Sequence, residues 1–292
     1  MGCSLIVHAD DFGQSDEIND GVRRAFSDGI LTSASVMANG KSFDSALEIC
    51  RQNPDFDIGV HLTLVEERPL ADPDSVPSLV SRSGSLHANH RSFLARYVTG
   101  KISLSDVERE LALQIARAKD CGVKISHLDG HQHLHALPAI RNIVRQLARK
   151  FGIGIVRNPR ESIRPYMIRP RHLSLVRLAE LIALNSICDW RQKQESNQFA
   201  EFLGFYFGGR LDTGKLKTVL AQLPSRGVFE LMCHPGSAAS QFGDSATVDG
   251  YKRETELSAL TDPSILETVR EQEINLISFR DLSADSERCS RA

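Results

Sequence analysis

Short apolar segments alternate with segments of helical periodicity at the start of this sequence. The apolar, β-branched runs lie at 5–9, 31–37 and 57–65, and the helices between them are predicted to begin near Ser15 and at Phe43. Strands that alternate with helices pair in parallel and are joined by right-handed crossovers. The order β-α-β-α-β therefore predicts a parallel sheet.

The alternation continues through the rest of the chain. Further strands are predicted at 124–128, 153–156, 203–206, 228–233 and 274–279, with helices between most of them. About eight strands and their helices make up one (β/α) barrel. The sequence therefore predicts an α/β fold with a single domain. We expect a distorted, TIM-like (β/α) barrel over residues 1–283, followed by a polar tail at 284–292.

One long irregular stretch, residues 66–103, interrupts the alternation directly after the third strand. Proline and glycine punctuate it, and only 92–98 has helical character. An irregular segment of this length inside a compact domain is typical of a lid or binding loop, and a plain surface insertion is the alternative. Because the segment follows the strand that carries His61, we expect it to lie over the site that His61 serves.

A markedly apolar helix is predicted at 172–190, after an arginine-rich stretch. Three interpretations of such a helix are open: a buried barrel helix, the face of a homodimer, or a helix on a membrane surface. The buried helix is the default, because a barrel requires a helix at this point.

The charge and the cysteines exclude several classes of partner. A formal charge of −2 leaves no surplus of Lys and Arg to neutralise nucleic acid. Six cysteines are scattered without a CxxC pair, which favours reduced thiols and a cytoplasmic protein. No apolar run is long enough to span a membrane, and no glycine-rich phosphate loop follows the first strand. We therefore expect a small-molecule substrate and no nucleotide cofactor.

Polar side chains that can do chemistry lie at the ends of five predicted strands. In a barrel these strand ends meet at one mouth. Each group alone has an ordinary explanation, such as a helix cap, a core histidine or a turn. Their convergence makes one shared site the better explanation. The residues are Asp10 and Asp11, His61, His131–His135, Arg157 and His234.

These residue types suit metal-assisted hydrolysis of an amide or an ester. One carboxylate and two imidazoles with open positions suit a divalent ion that acts on substrate or water. Adjacent residues on an extended strand point to opposite sides, so Asp10 and Asp11 can divide the roles of ligand and general base. A distant histidine can serve as general acid, and Arg157 can keep the base ionised. The spacing of His131 and His133 also favours metal binding.

Four blocks of sequence resemble the signatures of the YdjC-like carbohydrate deacetylases: DDFG at 10–13, GVHLT at 59–63, HLDGHQHLH at 127–135 and CHPG at 233–236. The resemblance extends in order from residue 5 to about 280. It implies a distorted (β/α) barrel and a divalent metal, magnesium or zinc. It also implies removal of an N-acetyl group from an amino sugar.

The resemblance assigns roles to individual residues. It implies Asp11, His61 and His131 as metal ligands and Asp10 as the base. A looser similarity to the wider polysaccharide deacetylases implies His234 as the acid and Arg157 as the orienting partner. Those relatives take both metal histidines from one HxxxH helix, whereas this chain takes them from separate strands. Four further residues are predicted to contact the substrate or to support the ligands: His133, His135, Thr63 and Asp129.

The substrate and two other functions stay open. Residues 66–79 resemble the hopanoid-associated branch of the family as much as the chitooligosaccharide branch, which would replace a soluble oligosaccharide with a sugar-bearing lipid. The alternatives are a metal phosphohydrolase, which should need more metal ligands, and a sugar-binding barrel without catalysis. Acetate release from N-acetylated sugars separates the deacetylase from both.

Overall fold

A parallel sheet curls through about half a barrel at the centre of the molecule, with helices packed on its outside. The computed structural model describes residues 2–190, 199–237 and 250–282. Seven strands form the sheet in the order β5-β4-β3-β2-β1-β7-β6, and an eighth pairs with β1. The strands are β1 (Cys3–Phe12), β2 (Ser33–Val36), β3 (Asp57–Leu62), β4 (Ile125–Gly130), β5 (Ile155–Val156), β6 (Glu201–Leu203), β7 (Gly227–Cys233) and β8 (Asn275–Leu276).

The helices begin and end at residues that stabilise helix termini. The Ser15 hydroxyl accepts a hydrogen bond from the Ile18 amide at the first helix, and Gly152 takes the left-handed conformation at the end of the fifth. The helices are α1 (Asp16–Asp28), α2 (Phe43–Gln52), α3 (His90–Val98), α4 (Leu104–Asp120), α5 (Pro138–Phe151), α6 (Leu175–Asp189), α7 (Thr213–Leu220), α8 (Arg253–Leu260) and α9 (Pro263–Glu271).

The predicted distorted barrel is confirmed, and the distortion lies in its last strand. β8 pairs with β1 at Ser4 and Leu5, on the same edge that pairs with β2 from His8 onward. In the described part of the chain, β5 and β6 each pair with one neighbour, so the sheet stays open between them. The sixth strand was predicted at 203–206 and lies at Glu201–Leu203, because Gly204 (φ +107) ends it. The predicted polar tail at 284–292 lies outside the described residues.

Two large apolar clusters hold the helices against the sheet. One joins β1 and β2 to α1, α2 and the C-terminal helices, and the other joins β3 and β4 to α4 and α5. The stretch 66–103 contributes Val76, Leu79 and Phe93 to the second cluster. Glu110 on α4 also accepts hydrogen bonds from the Leu70 and Ala71 amides, at 3.0 and 2.8 Å. The insertion is therefore anchored to the body of the barrel.

The expectation that the apolar helix is buried is wrong for its outer face. Leu181, Leu184 and Cys188 of α6 face the core, whereas Leu175 and Val176 are 73% and 68% exposed. In sequence, α6 lies between β5 and β6, the two strands at which the sheet is open. No helix within the described residues has the length and apolarity needed to cross a membrane.

The packing of α1 gives a first test. A Cβ atom at Gly21 would lie 2.4 Å from the Gly236 Cα, so α1 touches the loop after β7 backbone to backbone. We expect Gly21→Ala to lower the free energy of unfolding by about 1–3 kcal/mol, because the two backbones must separate. Gly154→Ala is the control, since no atom lies within 4 Å of its added Cβ. Thermal unfolding measures both, and equal shifts would contradict the packing argument.

Candidate metal centre and active site

The two adjacent aspartates both reach the site because the first strand is irregular between them. Asp11 has φ +64, and the pairing of β1 with β2 shifts register between Ala9 and Phe12. Aspartate tolerates the left-handed region better than most residues, and such a bulge re-aims side chains. The expectation that simple alternation points Asp10 and Asp11 to opposite sides is therefore wrong. Their two carboxylates lie in one buried network and have different partners.

Asp11 lies between two histidines from neighbouring strands. Its Oδ1 is 3.4 Å from Nε2 of His61, on β3, and 2.9 Å from Nδ1 of His131, which follows β4. All three side chains are buried, and one ligand atom from each lies within 4.8 Å of the others. The structure thus brings together the three predicted ligands, one oxygen and two nitrogens, at the carboxyl edge of the sheet.

Each of these histidines has a carboxylate on its other nitrogen. Nδ1 of His61 lies 2.9 Å from Asp129 Oδ1, and Nε2 of His131 lies 3.0 Å from Glu66 Oε2. Burial opposes the charged imidazole, but the carboxylates outweigh it and raise the pKa of His61 to about 9. Such partners fix the tautomer and the ring orientation of a metal-binding histidine.

Asp11 has its second oxygen occupied by an arginine. Arg253 donates from Nη2 to Asp11 Oδ2 at 2.7 Å, which leaves Oδ1 facing the two histidines. Burial alone would raise the pKa of Asp11, but Arg253 and His131 outweigh burial and hold the pKa well below its usual range. Asp11 is therefore an ionised carboxylate with one oxygen directed at the two histidines.

Asp10 pairs with an arginine, in the part of the buried network that adjoins the Asp11 group through Asp129. Nη1 of Arg157 lies 2.9 Å from Asp10 Oδ1 and 2.8 Å from Asp129 Oδ2, and its Nε lies 2.5 Å from Glu230 Oε1. Two other groups of buried side chains have ligand-like spacing, and both include Asp129. Arg157 contacts both Asp10 and Asp129, whereas Arg253 contacts only Oδ2 of Asp11 and leaves Oδ1 facing the two histidines, so a cation fits better at Asp11.

His234 follows the strand next to β1. Ala9 pairs with Cys233, so Asp10 and His234 come next to each other at the same edge of the sheet. The His234 amide donates to Glu256 Oε2 at 2.6 Å, and its Nδ1 lies 3.7 Å from the same oxygen. The buried carboxylate of Glu256 thus holds the backbone of His234 and faces its ring.

His133 was predicted to contact the substrate or to support the metal ligands, and it lies at the wall of the site, beside two phenylalanine rings. Gln132 and His133 have φ of +52 and +55, which turns the chain away after His131. His133 is outside the metal-like groups of the described residues and lies beside the Phe202 and Phe205 rings. The spacing of His131 and His133 therefore does not produce a ligand pair.

His135 and Thr63 hold backbone rather than the metal group. Nε2 of His135 lies 3.1 Å from the Arg157 carbonyl, and the Thr63 hydroxyl donates to the His61 carbonyl at 3.0 Å. Asp129 touches His61 and Arg157 and so joins the metal group to the Asp10 network. The roles assigned to these residues stay predictions.

Sequence reasoning missed five residues of this site. Arg253 and Glu256 lie on α8, far along the chain from Asp11, and no short motif marks them. Glu66 lies in the irregular stretch, with φ +72. His8 was visible in the block HADDFG, two residues before Asp10 on the same face of β1, and lies 3.2 Å from Asp129. Glu230 was also visible, as the one charged residue of the apolar strand β7.

Glu66 offers a test that does not depend on turnover. We expect Glu66→Gln to raise the metal dissociation constant about 10-fold, because His131 loses the carboxylate that orients it. Glu67→Gln is the matched control, since Glu67 contacts Gln14 instead. Isothermal titration with Zn²⁺ measures both variants, and equal affinities would contradict an orienting role for Glu66.

The whole chain resembles known proteins. The family model described as YdjC-like protein matches residues 4–271. Relatives named carbohydrate deacetylase include one from Geobacillus stearothermophilus, 29% identical over 277 residues, with 94% of this chain and 96% of the relative covered. Another, from Brevibacillus brevis, is 28% identical over 285 residues, with 95% and 99% covered. A crystal structure from Enterococcus faecalis V583, a candidate cellobiose-phosphate cleavage protein, has a TM-score of 0.71 at 25% identity and covers 97% of this chain and 99% of its own.

Fold and site together define an α/β half-barrel protein with a buried Asp-His-His group at the carboxyl edge of its sheet. Such a group, next to an Asp-Arg ion pair, is equipped for hydrolysis. The chain belongs to the YdjC-like family, as the match over residues 4–271 shows.

Proposed function

We propose that this chain is a metal-dependent carbohydrate deacetylase that hydrolyses the N-acetyl group of an amino sugar. The observation that carries the proposal is the division of the site into two parts. Asp11 lies with His61 and His131, whereas Asp10 pairs with Arg157. Family membership and the two relatives named carbohydrate deacetylase support the same activity.

The residues present fit a divalent ion. Asp11 Oδ1, His61 Nε2 and His131 Nδ1 would hold it, because their other polar atoms already have partners in Arg253, Asp129 and Glu66. Two imidazoles and one carboxylate are typical zinc ligands, whereas magnesium prefers oxygen ligands throughout. Zinc is therefore favoured over magnesium. When bound, the ion lowers the pKa of water and polarises the carbonyl of the acetyl group.

The residues around the ion move the protons. Asp10, paired with Arg157, accepts a proton from the attacking water. The water oxygen bonds to the acetyl carbon, the carbon–nitrogen bond of the amide breaks, and the nitrogen of the departing amino sugar takes a proton from His234. The carboxylate of Glu256, 3.7 Å from His234 Nδ1, faces the ring that carries this proton. The products are acetate and the free amine.

The wall of the site suits a sugar. His133 and Phe205 are both half-buried, with their ring centres 5.7 Å apart, whereas Phe202 beside them is fully buried. Apolar ring faces pack against the C–H faces of pyranoses, while half-buried histidines offer hydrogen bonds to hydroxyl groups. A chitooligosaccharide-like substrate with an N-acetyl group fits this chemistry. A sugar-bearing lipid would offer the same reacting group.

Acetate release is the direct test of this function. The metal-free protein is loaded with Zn²⁺ or Mg²⁺ and incubated with N,N'-diacetylchitobiose and a panel of N-acetylated sugars. We expect acetate and free amine in equal amounts, and loss of both after chelation. Phosphate release from sugar phosphates with more than one metal per chain would favour a phosphohydrolase. Sugar binding without acetate release across the panel would favour a non-catalytic barrel.

A further inference from the structure

The outer face of α6 is apolar and is left exposed by the residues that the structure describes. Leu175, Val176 and Ile182 are 73%, 68% and 50% exposed, and Ala179 and Ala183 lie between them at helical spacing. The opposite face packs on the core through other apolar residues. Apolar residues thus lie on the outer face of this helix as well as on its core face, and an exposed apolar face of this kind points to a partner. We name the exposed surface of residues 163–190 the α6 surface.

The apolar part of the α6 surface is bordered by arginines. Residues 160–190 contain five arginines and three carboxylates, in a chain whose net charge is −2. Three of the arginines pair with carboxylates, at Asp189, Glu201 and Glu180. Arg169 and Arg171 are exposed and make no ion pair with any residue of the described ranges. The surface therefore combines apolar side chains with uncompensated positive charge.

Aromatic and aliphatic side chains extend this surface at both ends. Trp190 follows α6 and is 60% exposed, and Ile163, Ile168 and Leu173 precede it with about half of their surface exposed. A tryptophan at one end and arginines at the other are typical of segments that lie in the interfacial region of a bilayer. Single exposed apolar residues are common, but a contiguous set on one helix and its approach is not.

The α6 surface lies on the side of the catalytic site. The Arg177 guanidinium is 4.6 Å from the centre of the Phe205 ring, and that ring is 5.7 Å from the ring of His133. His133 follows His131 by two residues. A partner on α6 would thus lie near the wall of the site.

We propose that the α6 surface docks the protein on an anionic lipid bilayer. The apolar side chains enter the interfacial region, and Arg169 and Arg171 contact acidic headgroups. This concerns where the chain works, and it rests on none of the roles given to catalytic residues.

Two other occupants fit the charges less well. In a symmetric dimer the same surface contacts itself, which brings the positive borders of two copies together. The segment that follows α6 in sequence, residues 191–198, reads RQKQESNQ and has no apolar side chain with which to cover the helix. An anionic bilayer would bury the apolar side chains in its interfacial region and pair the two arginines with acidic headgroups.

Vesicle flotation of the full chain tests the proposal without any sugar substrate. The protein is mixed with phosphatidylcholine vesicles that contain or lack phosphatidylglycerol. We expect binding only to the anionic vesicles, weakened by salt. Arg169→Gln with Arg171→Gln should lower the binding constant about thirty-fold, since each arginine near the surface contributes roughly five-fold. Leu175→Ser with Val176→Ser should lower it about ten-fold or more.

Matched controls remove an apolar or a basic side chain elsewhere. Val98→Ser changes a residue that is 81% exposed on α3, and Lys101→Gln removes an exposed charge. Both should bind as the unchanged protein does, and circular dichroism should show all variants folded. Three results would overturn the proposal: no binding to anionic vesicles, equal binding by all variants, or a dimer by light scattering that Leu175→Ser with Val176→Ser converts to monomers. A failure to release acetate would leave the vesicle result intact and would count against the catalytic proposal alone.

Discussion

Asp11→Asn is expected to abolish bound metal and deacetylation together. The variant keeps the shape of the side chain but lacks the negative charge, and Arg253 keeps only a neutral partner at the position where Asp11 Oδ2 lay. The cation would then face two imidazoles and one amide group, a much weaker set of ligands. His131→Ala removes a ligand nitrogen and should have the same effect. Metal content by atomic emission and acetate release at saturating metal measure the two losses.

His133→Ala is the matched control for the metal ligands. His133 is two residues from His131 but lies against Phe202 and Phe205 instead of Asp11. It should retain one metal per chain, with any loss confined to substrate binding. If Asp11→Asn binds metal as tightly as the unchanged protein, the Asp-His-His group is not the metal site.

Asp10→Asn is expected to lose about 10²–10⁴-fold in kcat while it keeps its metal, because general base catalysis typically contributes that much. The asparagine side chain can still accept a hydrogen bond from Arg157, but it cannot take a proton from water. The metal content and the thermal unfolding midpoint should stay close to those of the unchanged protein. Single-turnover acetate release with metal-loaded protein measures the chemical step.

Glu230→Gln separates the base from the network that supports it. Glu230 also pairs with Arg157, through Nε at 2.5 Å, but lies one strand away on β7. If the effect of Asp10→Asn came only from disturbing Arg157, Glu230→Gln would reduce kcat to the same extent. We expect a much smaller reduction. Full activity of Asp10→Asn on a true substrate would show that another group is the base.

The alternation of strands and helices predicted the fold well because it depends on local periodicity. The first strand and the strand before His131 lie close to their predicted positions. The position of the last strand depends on which part of the β1 edge is left unpaired by the other strands. Local sequence patterns carry no information on this. The exposed face of α6 likewise depends on which of its apolar side chains pack against the core in the folded chain, and the sequence pattern of this helix does not show that.

Site residues at the ends of regular strands could be predicted from the sequence. Positions that depend on an irregular backbone could not. Strand ends placed His61, Arg157 and His234 at one edge of the sheet. The rule of alternation failed at Asp11, because a bulge and a positive φ turn its side chain toward the histidines. Arg253 was out of reach because its contact with Asp11 spans 242 residues of sequence.

Because the insertion is anchored to α4, its outer turns can change in evolution without moving the residues of the site. Its backbone is held from α4, where Glu110 accepts from Leu70 and Ala71, and Asp106 accepts from the Ser78 amide. Replacing or lengthening its outer turns would leave Asp11, His61 and His131 in place, because these residues lie on or directly after β1, β3 and β4. Glu66 is the exception, since it belongs to the insertion and touches His131. Exchange of the insertion between relatives should therefore preserve metal affinity only when this one carboxylate is carried along.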